Sequence, residues 1–97
     1  MESRPIRPDE RFVQARDALA RRTRRSVVVL GSRARHPVVL RGTSKLVWDA
    51  LERARTLDDV ARDLAGRFVV EADDVHADVV PFVAELLDAG VVERSRA

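Results

Sequence analysis

The 97-residue sequence has no cysteine, one tryptophan, three phenylalanines and no long apolar run. Without cysteine the chain forms no disulfide, which suits a reducing compartment. No stretch approaches the ~18 consecutive apolar residues of a membrane span, and the first residues lack the apolar run of a signal peptide. These absences predict a cytoplasmic protein that does not contact a membrane.

Residues with catalytic or metal-binding chemistry are few and scattered. His36 and His76 have neither a cysteine nor a His-x-x-x-His spacing beside them, so they do not form a metal-ligand pair. The stretch from His36 to Leu51 holds no nucleophile next to a base and no phosphate-binding glycine pattern. We therefore expect a protein that is not an enzyme and that holds no cofactor and no metal.

The net charge of +2 conceals a strong asymmetry along the chain. Residues 1–45 carry 12 basic and 4 acidic side chains, whereas residues 46–97 carry 6 basic and 12 acidic ones. Arginine supplies 17 of the 18 basic residues, which a GC-rich genome explains better than selection for phosphate binding does. The run "ARRTRR", Ala20 to Arg25, is the one place where contact with nucleic acid is kept as an alternative.

A chain of this length, with 45% hydrophobic residues, makes one small domain. Residues 1–11 contain Pro5 and Pro8 and no periodicity, so we predict a flexible tail there and a folded domain over residues 12–97. The segment Phe12 to Arg22 fits a short helix or a strand. The β-branched run Ser26 to Gly31 favours a strand, with Ala18–Arg22 before it and Pro37–Arg41 after it as partners. The result is an antiparallel N-terminal sheet of about three strands.

Three helices are predicted after this sheet, because the apolar period changes to 3.6 from Gly42 onward. The first helix takes Thr43 or Ser44 as its cap, and the second begins at the cap Thr56 and ends at Gly66.

The third predicted helix runs from about Asp73 to Asp88 and stops before Gly90. A short strand, Val91 to Glu93, follows it. The sequence thus predicts an α+β fold, a winged helix-turn-helix-like domain with extra strands at its start.

The third helix has an apolar arc of about 200°, wider than a helix packed on one side needs. Either the predicted strands cover its second flank or a partner does, and the pattern leaves both open. The remaining side is acidic, with Asp78, Glu85 and Asp88 and no basic residue. The apolar arc consists of Val75, Val79, Val80, Phe82, Val83, Ala84, Leu86 and Leu87.

Four features from Val27 to Glu93 resemble the PqqD family, the small peptide-binding proteins of pyrroloquinoline quinone biosynthesis, and more widely the RiPP recognition elements of ribosomal peptide modification. They are the strand end Leu40-Arg41-Gly42, the helix tryptophan Trp48, the helix start "TLDDV" and the ending "DVVPFVAELLDAGVV". The chain departs from the family at Arg41, where members often have Asn or Ser, and at "ERAR", where they often have Asp-Gly or Pro.

The resemblance implies a non-catalytic protein that binds the leader segment of a precursor peptide as an added strand, between the third strand and the third helix. The strand edge would be Val38, Val39, Leu40 and Arg41. The opposite apolar wall would be Val80, Val83, Ala84 and Leu87, although burial in the core is the alternative for Val83 and Leu87.

The implied partners are the precursor peptide and a modifying enzyme such as a radical-SAM maturase, a leader peptidase or a cyclase. The same strand edge would also suit a homodimer. The alternative function is a small winged-helix regulator that binds nucleic acid through its arginine-rich N-terminal strands. Because the acidic third helix would repel phosphate, we expect no nucleic acid to bind there.

Overall fold

The computed structural model describes residues 6–32, 34–68 and 71–95. Two small antiparallel sheets pack with three helices around one core. In this part of the chain the elements are β1 Arg11–Gln14, β2 Leu19–Arg22, β3 Ser26–Leu30, β4 Val38–Arg41, α1 Thr43–Ala50, β5 Arg55–Thr56, α2 Leu57–Phe68, α3 Ala72–Asp88 and β6 Val92–Ser95.

The first sheet has the strand order β2-β3-β4. Val29 of β3 lies opposite Ala20 of β2 and Val38 of β4, so the partners predicted for the central strand are confirmed. A tight turn joins β2 to β3, in which the Thr23 N–H donates to the Ser26 carbonyl over 2.9 Å. The β-branched residues of β3 explain its central place, since such side chains pack well on a pleated surface.

The second sheet has the order β5-β1-β6 and was not predicted. Its central strand β1 shows that the ambiguous segment after residue 11 begins as a strand and not as a helix. Arg11 opens β1, and Ile6 packs against the core, while residues 1–5 of the predicted tail lie outside the described residues. The N–H and the side-chain amide of Gln14 donate to the carbonyls of Leu51 and Trp48, which ties this sheet to α1.

The helices agree with the sequence at some ends and differ at others. The Thr56 hydroxyl accepts the Asp59 N–H over 3.2 Å, so the predicted cap of α2 is confirmed. The predicted end of α2 at Gly66 is wrong, because the helix continues to Phe68. The segment predicted to bridge α2 and α3 is thus partly helical, and residues 69–70 lie outside the described residues. α3 ends as predicted, with Gly90 at a φ of 75° just after it.

The core lies where the two sheets and the three helices meet. Its largest fully buried side chains come from every layer and include Phe12, Leu40, Leu51, Leu64 and Leu86. The fold class is therefore α+β, with antiparallel sheets and three helices. The winged-helix description stays a prediction. Across residues 6–32, 34–68 and 71–95, none of the helices has the length and apolar character needed to cross a bilayer.

Candidate functional site

β4 is an edge strand of its sheet, because within the described residues it pairs with β3 alone. Its side chains alternate in the way a half-buried strand requires. Leu40 is 2% exposed and Val38 is half-buried, so both face the core, whereas Val39 is 51% exposed and Arg41 is exposed. One face of the strand therefore packs on the core, and the edge away from β3 has no strand partner among the described residues.

The hydrogen bonds around Ser26 indicate which backbone groups of β4 point outward. The Ser26 carbonyl accepts the Thr23 N–H, so the polar groups of Ser26 face β2 and its pair with Arg41 lacks backbone hydrogen bonds. Bonded and non-bonded pairs alternate in an antiparallel ladder. The pair of Leu40 with Val27 is then bonded, and the N–H and C=O of Val39 point away from β3.

Arg41 is the next outward-facing residue, and its backbone N–H and C=O already have a hydrogen-bond partner within the chain. The Ser44 hydroxyl accepts the Arg41 N–H over 2.9 Å and donates to the Arg41 carbonyl over 2.6 Å. On the other side of Val39, Pro37 has a carbonyl but no N–H to donate. Val39 is thus the one residue from Pro37 to Arg41 that offers both backbone groups to an added strand.

The turn from β4 into α1 corrects the predicted helix cap. Gly42, not Thr43 or Ser44, is the N-cap, and no side chain caps the helix. Gly42 has a φ of 57° and a ψ of −129°, a conformation that glycine adopts without the steric cost of a side chain. The Ser44 hydroxyl bonds back to Arg41 instead, and α1 has no acidic residue in its first turn.

Two approaches between α3 and the ends of neighbouring elements show that α3 runs in the direction opposite to β4. At its C-terminal end the backbone approaches the end of β3 so closely that a Cβ on Gly31 would stand 2.7 Å from the Ala89 carbonyl oxygen. Nearer its start, Val79 shares a cavity with Thr43 and Ser44, just beyond the end of β4. The flank of α3 that carries Val75, Asp78 and Phe82 therefore faces the start of α1, just beyond the end of β4.

An apolar cavity of about 450 Å³ lies against this flank, which we call the open flank of α3. α1 and the end of α2 form its other walls, and Phe68 at its rim is 50% exposed. The residues around it are Thr43, Ser44, Val47, Leu64, Phe68, Val75, Asp78, Val79 and Phe82.

The other flank of α3 is covered by the chain's own N-terminal segment. Val80 and His76 line a smaller cavity, of about 260 Å³, together with residues 6–8 and the start of α2. We call this the covered flank. At ~100° per residue, Val80 and Phe82 lie on opposite sides of the buried Val79.

The eight residues predicted to bind peptide lie in three different surroundings. Val38, Val39, Leu40 and Arg41 form the edge strand β4. Val80 is on the covered flank, and Val83 is 0% exposed in the core, where it presents no surface to a ligand. Ala84 and Leu87 are half-buried. Their part in binding stays a prediction.

The cavity on the open flank is lined by members of the apolar arc other than those that the sequence analysis proposed as the peptide-binding wall. Val75 and Phe82 line it, yet neither was among the candidates. Helical periodicity finds both residues within the arc but does not say which flank faces the strand edge. The direction in which α3 packs decides that, and the close approach at Gly31 was not visible in the sequence.

Three arginines gather at the turns beside the end of β4. Arg24, Arg25 and Arg41 line an open cavity of about 780 Å³ with Thr23, Ser26 and Gly42. The nearby Arg22 is different, because it pairs with Asp49 of α1. The hydrogen bond that Arg22 donates to the Asp49 carboxylate, and then the negative charge of Asp49, raise the pKa of Arg22 above its ordinary value.

The histidines lie apart from each other. His36 is exposed in the loop before β4, and His76 is half-buried on the covered flank. Within residues 6–32, 34–68 and 71–95, no three His, Cys, Asp or Glu side chains come together as a metal site would require.

The sequence from residue 26 to residue 92 matches the family model for coenzyme PQQ synthesis protein D, PqqD. The chain belongs to the PqqD family. The match begins at β3, and so includes the edge strand β4 and all three helices. The family resemblance that the sequence motifs indicated is confirmed.

A solved structure supports the same fold. The chain is similar to the solution NMR structure of the PqqD truncation of Methylobacterium extorquens PqqCD, described as a functional and stand-alone RiPP recognition element. The two share 20% sequence identity with a TM-score of 0.75, over 93% of this chain and 96% of that one. None of the curated proteins that were searched matches this chain.

Proposed function

We propose that this PqqD-family protein binds the leader segment of a ribosomally made precursor peptide and presents it, without catalysis of its own, to a separate modifying enzyme. Membership of the family supports this role, as does the likeness to a stand-alone recognition element. A radical-SAM maturase, a leader peptidase and a cyclase all suit it as the enzyme partner, and the cytoplasm suits it as the location.

The leader binds as an added strand on the open edge of β4. The observation that carries this proposal is the outward direction of the Val39 N–H and C=O at an edge whose neighbouring groups are occupied or missing. An antiparallel strand places one residue opposite Val39 and exchanges two hydrogen bonds with it. Because the ladder is short, side-chain contacts supply most of the affinity.

Those contacts lie on the open flank of α3. In the added strand, the residues before and after the one opposite Val39 point to the inner face of the sheet, toward the helices. The cavity beside Phe82 suits a large apolar leader side chain, since its walls are mainly aliphatic and aromatic. We therefore propose Val75, Val79 and Phe82 as the helical wall, in place of Val80 and Val83.

The test of strand addition is Val39→Pro. Proline removes an N–H that points outward, so the sheet keeps its own hydrogen bonds and only the added strand loses one. We expect the affinity for a synthetic leader from the same gene cluster, measured by calorimetry, to fall at least about tenfold, or ~1.4 kcal/mol. The melting temperature should stay close to that of the wild type.

Leu40→Pro is the matched control. Its N–H faces β3 and its side chain is buried, so this proline should destabilise the fold itself. If Val39→Pro stays folded and binds the leader with unchanged affinity, strand addition at β4 is wrong. Binding that disappears only at concentrations where the protein forms dimers would instead assign the β4 edge to self-association.

A further inference from the structure

The cavity at the β2–β3 turn gathers positive charge without a counter-charge. Arg24 and Arg25 lie in the turn, and Arg41 approaches from the end of β4. Four arginines of the described chain, at positions 22, 62, 67 and 94, pair with a carboxylate, whereas the other described arginines do not. Within the described residues no such pair involves the three arginines of this cavity. Like charges held together without a partner repel one another, and a bound anion relieves that repulsion.

The polar groups around these arginines favour the same kind of ligand. The Thr23 and Ser26 hydroxyls bond to each other over 2.7 Å, while Gly42 adds backbone with open space where a side chain would be. α1 begins at Gly42 with neither a side-chain cap nor an acidic residue, so the positive end of its dipole is not neutralised there. Arginine also pairs with carboxylates through two parallel hydrogen bonds. The site has donors and positive charge for an anion.

We propose that Arg24, Arg25 and Arg41 bind an acidic side chain of the leader and so select for leaders with Asp or Glu at one position. This inference depends on the proposed strand addition. In an antiparallel added strand, the residue two positions before the one opposite Val39 lies opposite Arg41, on the same face of the sheet. That position carries the acid.

On the opposite face of the added strand, which points toward α3, acidic side chains are disfavoured. Asp78 lines the apolar cavity beside the open flank, and the exposed Glu85 lies about two turns further along α3. These carboxylates repel an acidic residue that points toward α3. The leader chemistry that fits is therefore an acidic residue on the arginine side and apolar residues on the helix side.

A peptide suits this surface better than nucleic acid does. Duplex DNA presents a continuous row of phosphates, and neutralising it requires basic contacts along an extended surface. The three arginines line one cavity at the end of β4, and Asp78 of α3 lines a separate cavity. One carboxylate matches this distribution of charge.

The first experiment selects a random dodecapeptide library, displayed on phage, on the wild-type protein and on the double variant Arg25→Gln/Arg41→Gln. Peptides enriched by the wild type should contain Asp or Glu two positions before a residue flanked by apolar side chains, and the variant should lose this preference. Arg53→Gln, beyond the other end of α1, is the matched control and should select the same peptides as the wild type. Binding of the best peptide should drop roughly threefold to tenfold when its acid becomes the amide.

The outcomes separate the two proposals. If no peptide is enriched above an unrelated protein, strand addition itself fails. If peptides are enriched but their acid content is the same on the wild type and the double variant, only the arginine site is wrong. A double-stranded oligonucleotide that displaces the selected peptide and binds more tightly would make this surface a nucleic-acid site and overturn the inference.

The second experiment needs no peptide. Inorganic phosphate, titrated into the free protein, should shift the amide signals of Arg41, Gly42 and Thr43 to saturation, and the double variant should lose this response. Shifts that stay linear with phosphate concentration, or that persist in the double variant, would contradict an anion site at this turn.

Discussion

The two apolar flanks of α3 are covered in different ways. On the covered flank, the chain packs its own residues 6–8 beside Val80 and leaves a cavity of about 260 Å³. On the open flank, Phe82 lines a larger cavity, of about 450 Å³, whose other walls are α1 and the end of α2. Apolar surface that a chain covers itself stabilises the fold, whereas apolar surface left at a groove is available to a partner. Under the proposed function, one helix would serve stability on one side and binding on the other.

The largest effect on stability is expected at Leu86, which lies between the two flanks. This side chain is 2% exposed in the core, and Leu86→Ala should lower the free energy of unfolding by ~2–5 kcal/mol through lost burial and a new cavity. Denaturant unfolding measures the loss. Leu19→Ala is the matched control, because Leu19 is 71% exposed and its truncation should cost less than about 0.5 kcal/mol. Equal costs would show that Leu86 is not a core residue.

The second prediction compares the flanks directly. Phe82→Ala should weaken leader binding by more than about tenfold, since aromatic residues in grooves carry much of the binding energy. Val80→Ala should leave the affinity unchanged, because Val80 lies under the chain's own segment. Calorimetry with both variants folded gives the answer. Equal losses would mean that the leader contacts both flanks.

The third prediction concerns the segment that covers Val80. Ile6 is half-buried against the core, so Ile6→Ala should cost about 1 kcal/mol of stability. Leader affinity should stay the same, as the open flank is untouched. Thermal unfolding and calorimetry test the two parts, with Arg7→Ala as the control because its side chain is exposed. A loss of affinity without a loss of stability would place the leader on the covered flank.

The smallest effect is expected at the helix starts. Thr56 caps α2 beside the covered flank, and Thr56→Ala should cost roughly 0.5 kcal/mol, since the bond is exposed and 3.2 Å long. Thr43→Ala, at the start of α1 beside the open flank, should cost less, because Gly42 is the cap and Thr43 accepts no capping bond. Chemical denaturation of both variants measures the difference. A greater cost at Thr43 would reverse the assignment of the caps.

Local patterns predicted the parts of the fold that local contacts decide. Thr56, followed three residues later by Asp59, marks the start of α2 through a bond within one turn. The valines of β3 and β4 mark two strands that are neighbours along the chain. Where the deciding partner lies far away, the pattern was ambiguous. Phe12 is in a strand because it pairs with Arg55 and Arg94, and nothing near it in the sequence indicates either residue.

The candidate site also has one part that local patterns predict and one part that depends on distant contacts. The strand from Val38 to Arg41 follows from its β-branched residues and its place beside the predicted central strand, whereas its part as a binding edge was implied by the family resemblance. The helical wall does not follow, because an arc of about 200° offers two flanks of similar apolar character. The contact of Gly31 with the end of α3 sets the direction of that helix, and this contact joins residues nearly 60 positions apart.

The pairing of β1 with β6 has a consequence for how the chain folds. Arg11 lies opposite Ser95, so this ladder joins the two ends of the described chain, whereas β2, β3 and β4 are linked by short turns and loops. Closing a long loop costs more entropy than closing a short one, and pairings between distant residues slow folding. During synthesis, β2, β3 and β4 are available to pair before residues 92–95 have left the ribosome. β1 can pair earlier with β5, but its longer ladder needs β6, so the sheet that contains β4 can form before the second sheet is complete.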